Sequence, residues 1–201
     1  TYTYTSTGKI DSILREEEQM GSWVFDDSYS YKYDAQDRLI VLNEYYNLMG
    51  SVTHSRTDTL EYDGNSDNVS RSINYSSDDG INFYPSEEAI ITNSNNQPNS
   101  LEYYEDDDSD PTNPLDHLFH AEYTYTNNEL TSIDIYPIIQ GSPGSTLAGQ
   151  FVYEYNADGK VTKRTTTGVD EEIITIAYDS DNFADSVTYE YPDNNQNFYI
   201  D

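Results

Sequence analysis

One pattern governs what this chain can fold into: Tyr-x-Tyr followed by a turn. Tyr2-x-Tyr4 runs into Thr5-Ser6-Thr7-Gly8-Lys9-Ile10, and Tyr31-x-Tyr33 into Asp34-Ala35-Gln36-Asp37-Arg38-Leu39. Tyr153-x-Tyr155 runs into Asn156-Ala157-Asp158-Gly159-Lys160-Val161. Looser copies are Leu60-x-Tyr62, Tyr123-x-Tyr125, Ile176-x-Tyr178 and Tyr189-x-Tyr191. Residues two apart on a strand share a face, so each copy sets a pair of large side chains on one side. The residues between them are Thr3, Lys32, Glu61, Thr124, Glu154, Ala177 and Glu190, nearly all polar. That alternation marks a half-buried antiparallel strand and argues against a helix.

The residues after each pair are turn chemistry. Asn156 supplies an Asx side chain to cap a turn, and Gly159 accepts a positive φ. Asp37 stands where Gly159 does, and Asp tolerates the left-handed region better than most residues. Asn127-Asn128 closes a shorter reversal. The apolar residue that follows starts the returning strand, so each copy reads as a β-hairpin.

The second tyrosines stand at 4, 33 and 62, intervals of 29 and 29, and at 125 and 155, an interval of 30. Between Tyr62 and Tyr125 the spacing predicts one degraded copy. Each period holds two strands of about ten residues, so the expected fold is all-β. It is a single domain over 1–201: a long-stranded, antiparallel, up-and-down meander forming a soluble open or closed barrel with little or no helix. Regularity fades over 76–120, where Pro85, Pro98, Pro111 and Pro114 and the run Glu105-Asp106-Asp107-Asp108-Ser109-Asp110 predict an irregular, loop-rich section. Pro114–His120 is the one place where a short helical turn is expected.

Composition bounds the partners. The net charge is -29 over 201 residues, with 9 Lys and Arg against 38 Asp and Glu. Nucleic acid is excluded, because phosphate contacts need clustered cations, and an anionic membrane surface repels such a chain. No stretch approaches the about 18 apolar residues of a spanning helix. A lipid-facing barrel is also disfavoured: Ile-Asp-Ser-Ile-Leu-Arg-Glu-Glu-Glu over 10–18 lacks the alternating apolar band that hydrocarbon requires. The 21 tyrosines supply the apolar area that a chain this acidic otherwise lacks. With 0 cysteines there is no disulfide framework, Cys-ligated metal or thiol catalysis. No export signal precedes the first strand, so the chain reads as a mature form from which one has been removed. A monomer is expected.

Tyr31-Lys-Tyr33-Asp34-Ala-Gln-Asp37-Arg38-Leu39 and Tyr153-Glu-Tyr155-Asn156-Ala-Asp-Gly159-Lys160-Val161 resemble the YD (Rhs-type) repeat hairpins of bacterial surface proteins and toxin shells. The period here is longer than in that family. In length, acidity and long Tyr-rich hairpins, the chain also resembles a family of secreted Bacteroidetes lipoproteins with a porin-like fold. The resemblance implies an extracytoplasmic protein: periplasmic, secreted or anchored to the outer membrane by lipid. Neither family offers a catalytic motif to carry onto residues here.

The candidate chemistry is sparse. Asp63, Asn65 and Asp67 imitate the first half of a calcium loop, but Asn68 stands at the sixth position and Asn74 at the twelfth, where Gly and a bidentate Glu are wanted. They are the metal candidates, with calcium as the cation and no other cofactor expected. Asp179-x-Asp181 repeats the theme. His117 and His120, with Asp116 and Glu122, form a constellation that binds metal only on a helix, and His54 stands alone. No G-x-S-x-G, Walker or G-x-G-x-x-G motif is present. The tyrosines read first as core and second as a sugar-stacking platform. The expected function is a non-enzymatic binding or structural module for a glycan or surface protein; the alternative is a polysaccharide hydrolase using paired carboxylates.

Overall fold

The computed structural model describes residues 1–19, 21–48, 51–77, 79–106, 114–168, 171–181, 183–192 and 196–200, without the side chains of 19, 48 and 196–200. Most of the acidic run at 107–110, and Pro111 after it, lie outside the described residues. Contacts group the chain into two compact units: Thr1–Gln97 with Tyr103–His117, and Pro98–Glu102 with Leu118–Asp201. The described residues form strands and turns, with no helix.

Unit 1 contains β1 (Tyr2–Tyr4), β2 (Ile10–Gln19), β3 (Ser22–Tyr33), β4 (Leu39–Leu48), β5 (Ser51–Tyr62), β6 (Val69–Ser76) and β7 (Tyr84–Ser94). Each pairs antiparallel with the next. Strand β8 (Gln97–Glu105) contributes residues to both units. Unit 2 contains β9 (Asp116–Thr126), whose first two residues belong to unit 1, β10 (Glu129–Ile139), β11 (Ser142–Pro143) and β12 (Gly149–Tyr155). It continues through β13 (Val161–Thr167), β14 (Glu172–Tyr178), β15 (Ala184–Tyr191) and β16 (Gln196–Ile200). Strand order is chain order, with the short β11 paired to β10 alone.

Two expectations for 76–120 give way. The stretch holds β7 and β8, 11 and 9 residues long. Pro85 is tolerated because it is the second residue of β7 and faces a register shift at Asn74/Tyr75; Pro98 is the second residue of β8. The helical turn expected at Pro114–His120 is the start of β9. Its run of aromatic and Thr residues pairs with β10, His120 opposite Tyr136 and Phe119 opposite Pro137.

The turns form as their residues dictate. Asp34 accepts the N–H groups of Gln36 and Arg38 on Oδ1 at 2.9 and 3.0 Å. Asn156 accepts those of Asp158 and Lys160 at 3.0 Å each. Asp37 and Gly159 take φ of 62° and 73°. Beside each turn the returning strand carries one extra residue: the register skips Asp11 opposite Tyr4, Ile40 opposite Tyr33, Ser70 opposite Tyr62, Thr162 opposite Tyr155 and Asp185 opposite Tyr178. These are β-bulges, which bend the strand and turn a side chain back over its neighbour.

The side chain so turned is the second tyrosine. Its hydroxyl donates to a carbonyl in the first two residues of the adjacent strand: Tyr33 to Ile10 at 2.9 Å, Tyr62 to Leu39 at 2.7 Å, Tyr155 to Leu130 at 2.7 Å and Tyr178 to Val161 at 2.9 Å. The cation ending the preceding turn then lies on the ring, Arg38 at 4.4 Å from the Tyr62 centroid and Lys160 at 5.0 Å from that of Tyr178. The degraded copy keeps the bond with a different donor, Asn93 Nδ2 to the Val69 carbonyl at 3.0 Å.

Large apolar burial contributes little. Among the described residues the buried apolar ones are Ile73 and Ala121, alongside the polar Asn43, Asn74 and Ser77. Asn43 donates to Ser30 Oγ at 3.1 Å and accepts from Thr57 Oγ1 at 2.9 Å, joining β3, β4 and β5 by side chains as well as backbone.

Candidate polar cleft

Alternation along β9 decides which side chains meet. Ala121, Tyr123 and Tyr125 take one face; His120, Glu122 and Thr124 take the other. Register then sets Tyr136 opposite His120 and Asp134 opposite Glu122 on β10. His120 Nδ1 lies 2.7 Å from Glu102 Oε1 on β8, and its Nε2 lies 3.6 Å from Glu122 Oε1. The Tyr136 hydroxyl donates to Glu122 Oε2 at 3.5 Å, with its ring centroid 6.0 Å from that of His120. Glu122 and Asp134 hold the Tyr136 phenol above its usual range, although burial is the larger cause. His120 is 13 % exposed and Glu122 57 %, so the imidazole is enclosed while one carboxylate faces outward. Asn99, Ser100 and Thr124 complete a cleft of about 340 Å³. Its wall offers a carboxamide, two hydroxyls, an imidazole and a carboxylate, a set that reads ligand hydroxyls by hydrogen bonds.

The histidine constellation expected on a helix is taken apart by the strand. Residues three apart on a strand point to opposite faces, and His117 stacks on Tyr104 at 4.4 Å, away from His120. His54 stacks between Tyr45 and Phe83, at 4.6 and 4.4 Å, with Nε2 at 2.9 Å from Thr57 Oγ1. Among the described residues no three His, Asp or Glu side chains gather as metal ligands. The carboxylates around His120 approach opposite ring nitrogens, so they flank it and do not converge with it on one point.

Asp63, Asn65 and Asp67 lie in the β5–β6 turn, closed by Asp63 N–H to the Asn68 carbonyl at 2.9 Å. The turn's carbonyls face a guanidinium: Arg38 Nη1 donates to Gly64 O at 3.1 Å and also to Ser66 O. A cation entering there meets a fixed positive charge. Asp179 spends its carboxylate on its own turn, accepting from Asp181 and Phe183 N–H at 2.9 Å each.

Glu102, Asn99, Ser100 and Tyr136 were not legible as site residues. Three lie on β8, which Pro98 disguises, and Tyr136 joins only through the β9–β10 register. The tyrosine hydroxyls were also missed, although a signal exists: the second position of every Tyr-x-Tyr copy is Tyr, while the first varies among Tyr, Leu and Ile.

No protein-family model and no curated protein matches the chain. Among solved structures, the chain is similar to a porin-like protein from Bacteroides uniformis, with 9 % identity, a TM-score of 0.38, and coverage of 94 % of this chain and 91 % of that one.

Proposed function

We propose that the protein is a non-enzymatic binding module acting outside the cytoplasm, with the cleft around His120 as its contact for a neutral glycan. The observation that carries this reading is the enclosed His120 held between Glu102 and Glu122 in a wall of hydroxyl and amide groups. Sugar hydroxyls both donate and accept, and this wall does both. A net charge of -29 turns anionic polymers away and leaves neutral glycans as the fitting class. The likeness of the hairpins to those of exported surface proteins supports the location.

The hydrolase reading has one observation in its favour, two carboxylates on either side of a single imidazole. Both readings meet the same test. Wild type on an array of neutral glycans is expected to bind without turnover, and His120→Ala should weaken the best ligand at least about tenfold. Hydrolysis that Glu122→Gln abolishes would replace the module with the enzyme; absence of binding to every neutral glycan would end the glycan reading.

A further inference from the structure

A second cleft in unit 2 lies on the opposite face of β10. Ile135 follows Asp134 and precedes Tyr136 on β10, so it points away from the His120 cleft. With Ala148, Gly149, Phe151 and Thr166 it lines a space of about 160 Å³ between β10, β12 and β13. That is close to the ~150 Å³ known to accept one benzene ring in an apolar cavity. The wall is mostly carbon, because Gly149, directly opposite Ile135, brings no side chain and Phe151 lies two residues further along the same face.

Two polar atoms on this face of β13 have no partner, one in the cleft wall and one next to it. Thr166 Oγ1 is buried without a hydrogen bond, and so is Arg164 Nε, two residues along the same face of β13. The Arg164 guanidinium is anchored elsewhere: its Nη2 is bound to Glu172, and Cζ sits 5.8 Å from the Phe151 centroid. Buried donors left unpaired are costly, and a native structure that keeps two beside an apolar cleft calls for an acceptor supplied from outside. Both groups can donate, so the ligand atom they suit is an acceptor oxygen. An anion does not suit it, since Glu172 stands directly opposite Thr166 and the chain is strongly negative. A plain sugar hydroxyl does not suit the carbon wall.

We infer that this cleft is a subsite for a neutral acylamino group, as carried by N-acetylated sugars. The methyl packs against Ile135, Ala148 and Phe151. The carbonyl oxygen accepts from Thr166 Oγ1 and from the neighbouring Arg164 Nε–H. Small-molecule sites commonly combine an apolar wall with a few fixed polar groups in this way. The inference uses none of the residues of the His120 cleft.

Saturation-transfer NMR with N-acetylglucosamine, and with glucose as the control, tests it on the full chain. The acetyl methyl should take the strongest saturation in wild type, and glucose, which lacks that group, should respond more weakly. Thr166→Val, nearly isosteric, should weaken binding about tenfold; Ala148→Leu, which fills the cleft, should abolish it; His120→Ala should leave it unchanged. Circular dichroism of each variant separates lost binding from lost folding, and Thr166→Val carries the test if Ala148→Leu does not fold. No binding of N-acetylglucosamine, equal binding of glucose, or unchanged binding by Thr166→Val would overturn the inference. Loss in His120→Ala with Thr166→Val intact would also overturn it, by moving the sugar to the other cleft.

Discussion

The hydroxyl of Tyr62 donates to the carbonyl of Leu39 across 2.7 Å, tying the end of β5 to the residue that opens β4. The same bond recurs at Tyr33, Tyr155 and Tyr178, which makes it a repeated unit of cohesion in a sheet with little apolar burial. A hydrogen bond of this kind contributes about 1 kcal/mol, and somewhat more when its loss strands a covered carbonyl.

Tyr62→Phe is therefore expected to lower stability by about 1–2 kcal/mol in urea unfolding, with Tyr33→Phe and Tyr155→Phe behaving alike. Tyr4, 63 % exposed and without such a bond, is the internal control, and its Phe variant should stay within about 0.5 kcal/mol of wild type. Equal losses at Tyr4 and Tyr62 would show that the ring, and not the hydroxyl, matters.

Two glycines with positive φ separate strain from space. Gly8, at φ 83°, has nothing within 4 Å of an added Cβ, so Gly8→Ala should cost about 1 kcal/mol from backbone strain. Gly168, at φ 106°, faces the Ala148 carbonyl, which an added Cβ would strike, so Gly168→Ala should cost about 3 kcal/mol. Thermal unfolding that ranks the two equally would contradict the packing around Gly168.

Stability should fall at both ends of the pH scale for separate reasons. The N–H groups of Asn82 and Ile81 hold the Asp79 carboxyl far below its ordinary 3.8, with Asn82 Nδ2 and Ser77 Oγ adding to them. A depressed carboxyl contributes stability above its unfolded value and loses it as pH falls through the folded one. The gap between wild type and Asp79→Asn should be full above about pH 5 and close on acidification. Burial pushes the phenols of Tyr31, Tyr62, Tyr103, Tyr123, Tyr125 and Tyr155 above 10.0. Their contribution is full below that value and disappears as pH rises through the raised ones, so unfolding at high pH should accompany phenolate absorbance.

Sodium chloride should raise the melting temperature, because screening relieves the repulsion of a chain at -29. Calcium at matched ionic strength is expected to add nothing further, given that Arg38 occupies the carbonyls of the Asp63–Asp67 turn. An extra rise with calcium, lost in Asp63→Asn, would show that the cation displaces Arg38.

Period, strand type and turn chemistry were legible because they depend on neighbours in sequence: the Asx caps at Asp34 and Asn156 and the positive φ at Asp37 follow from local residues. Strands β7 and β8 were hidden by attention to their prolines, although Ser94-Asn95-Asn96-Gln97 matches Thr126-Asn127-Asn128-Glu129, and both Asn pairs take positive φ. The His120 cleft was only half visible. His120 and Glu122 stand out in the sequence, but Glu102 lies 18 residues from His120 and reaches it only through β8, whose proline reads locally as loop.

The tyrosine bonds span only 23, 23, 25 and 17 residues of chain. Strands in such a sheet wait for no distant partner, so the slow search that burdens most β proteins is largely absent. Folding can begin at whichever hairpin closes first and run outward like a zip, each closed turn presenting the carbonyl that catches the next tyrosine. A chain built on this rule can grow or shrink by whole hairpins, since each new one needs only the edge left by the last.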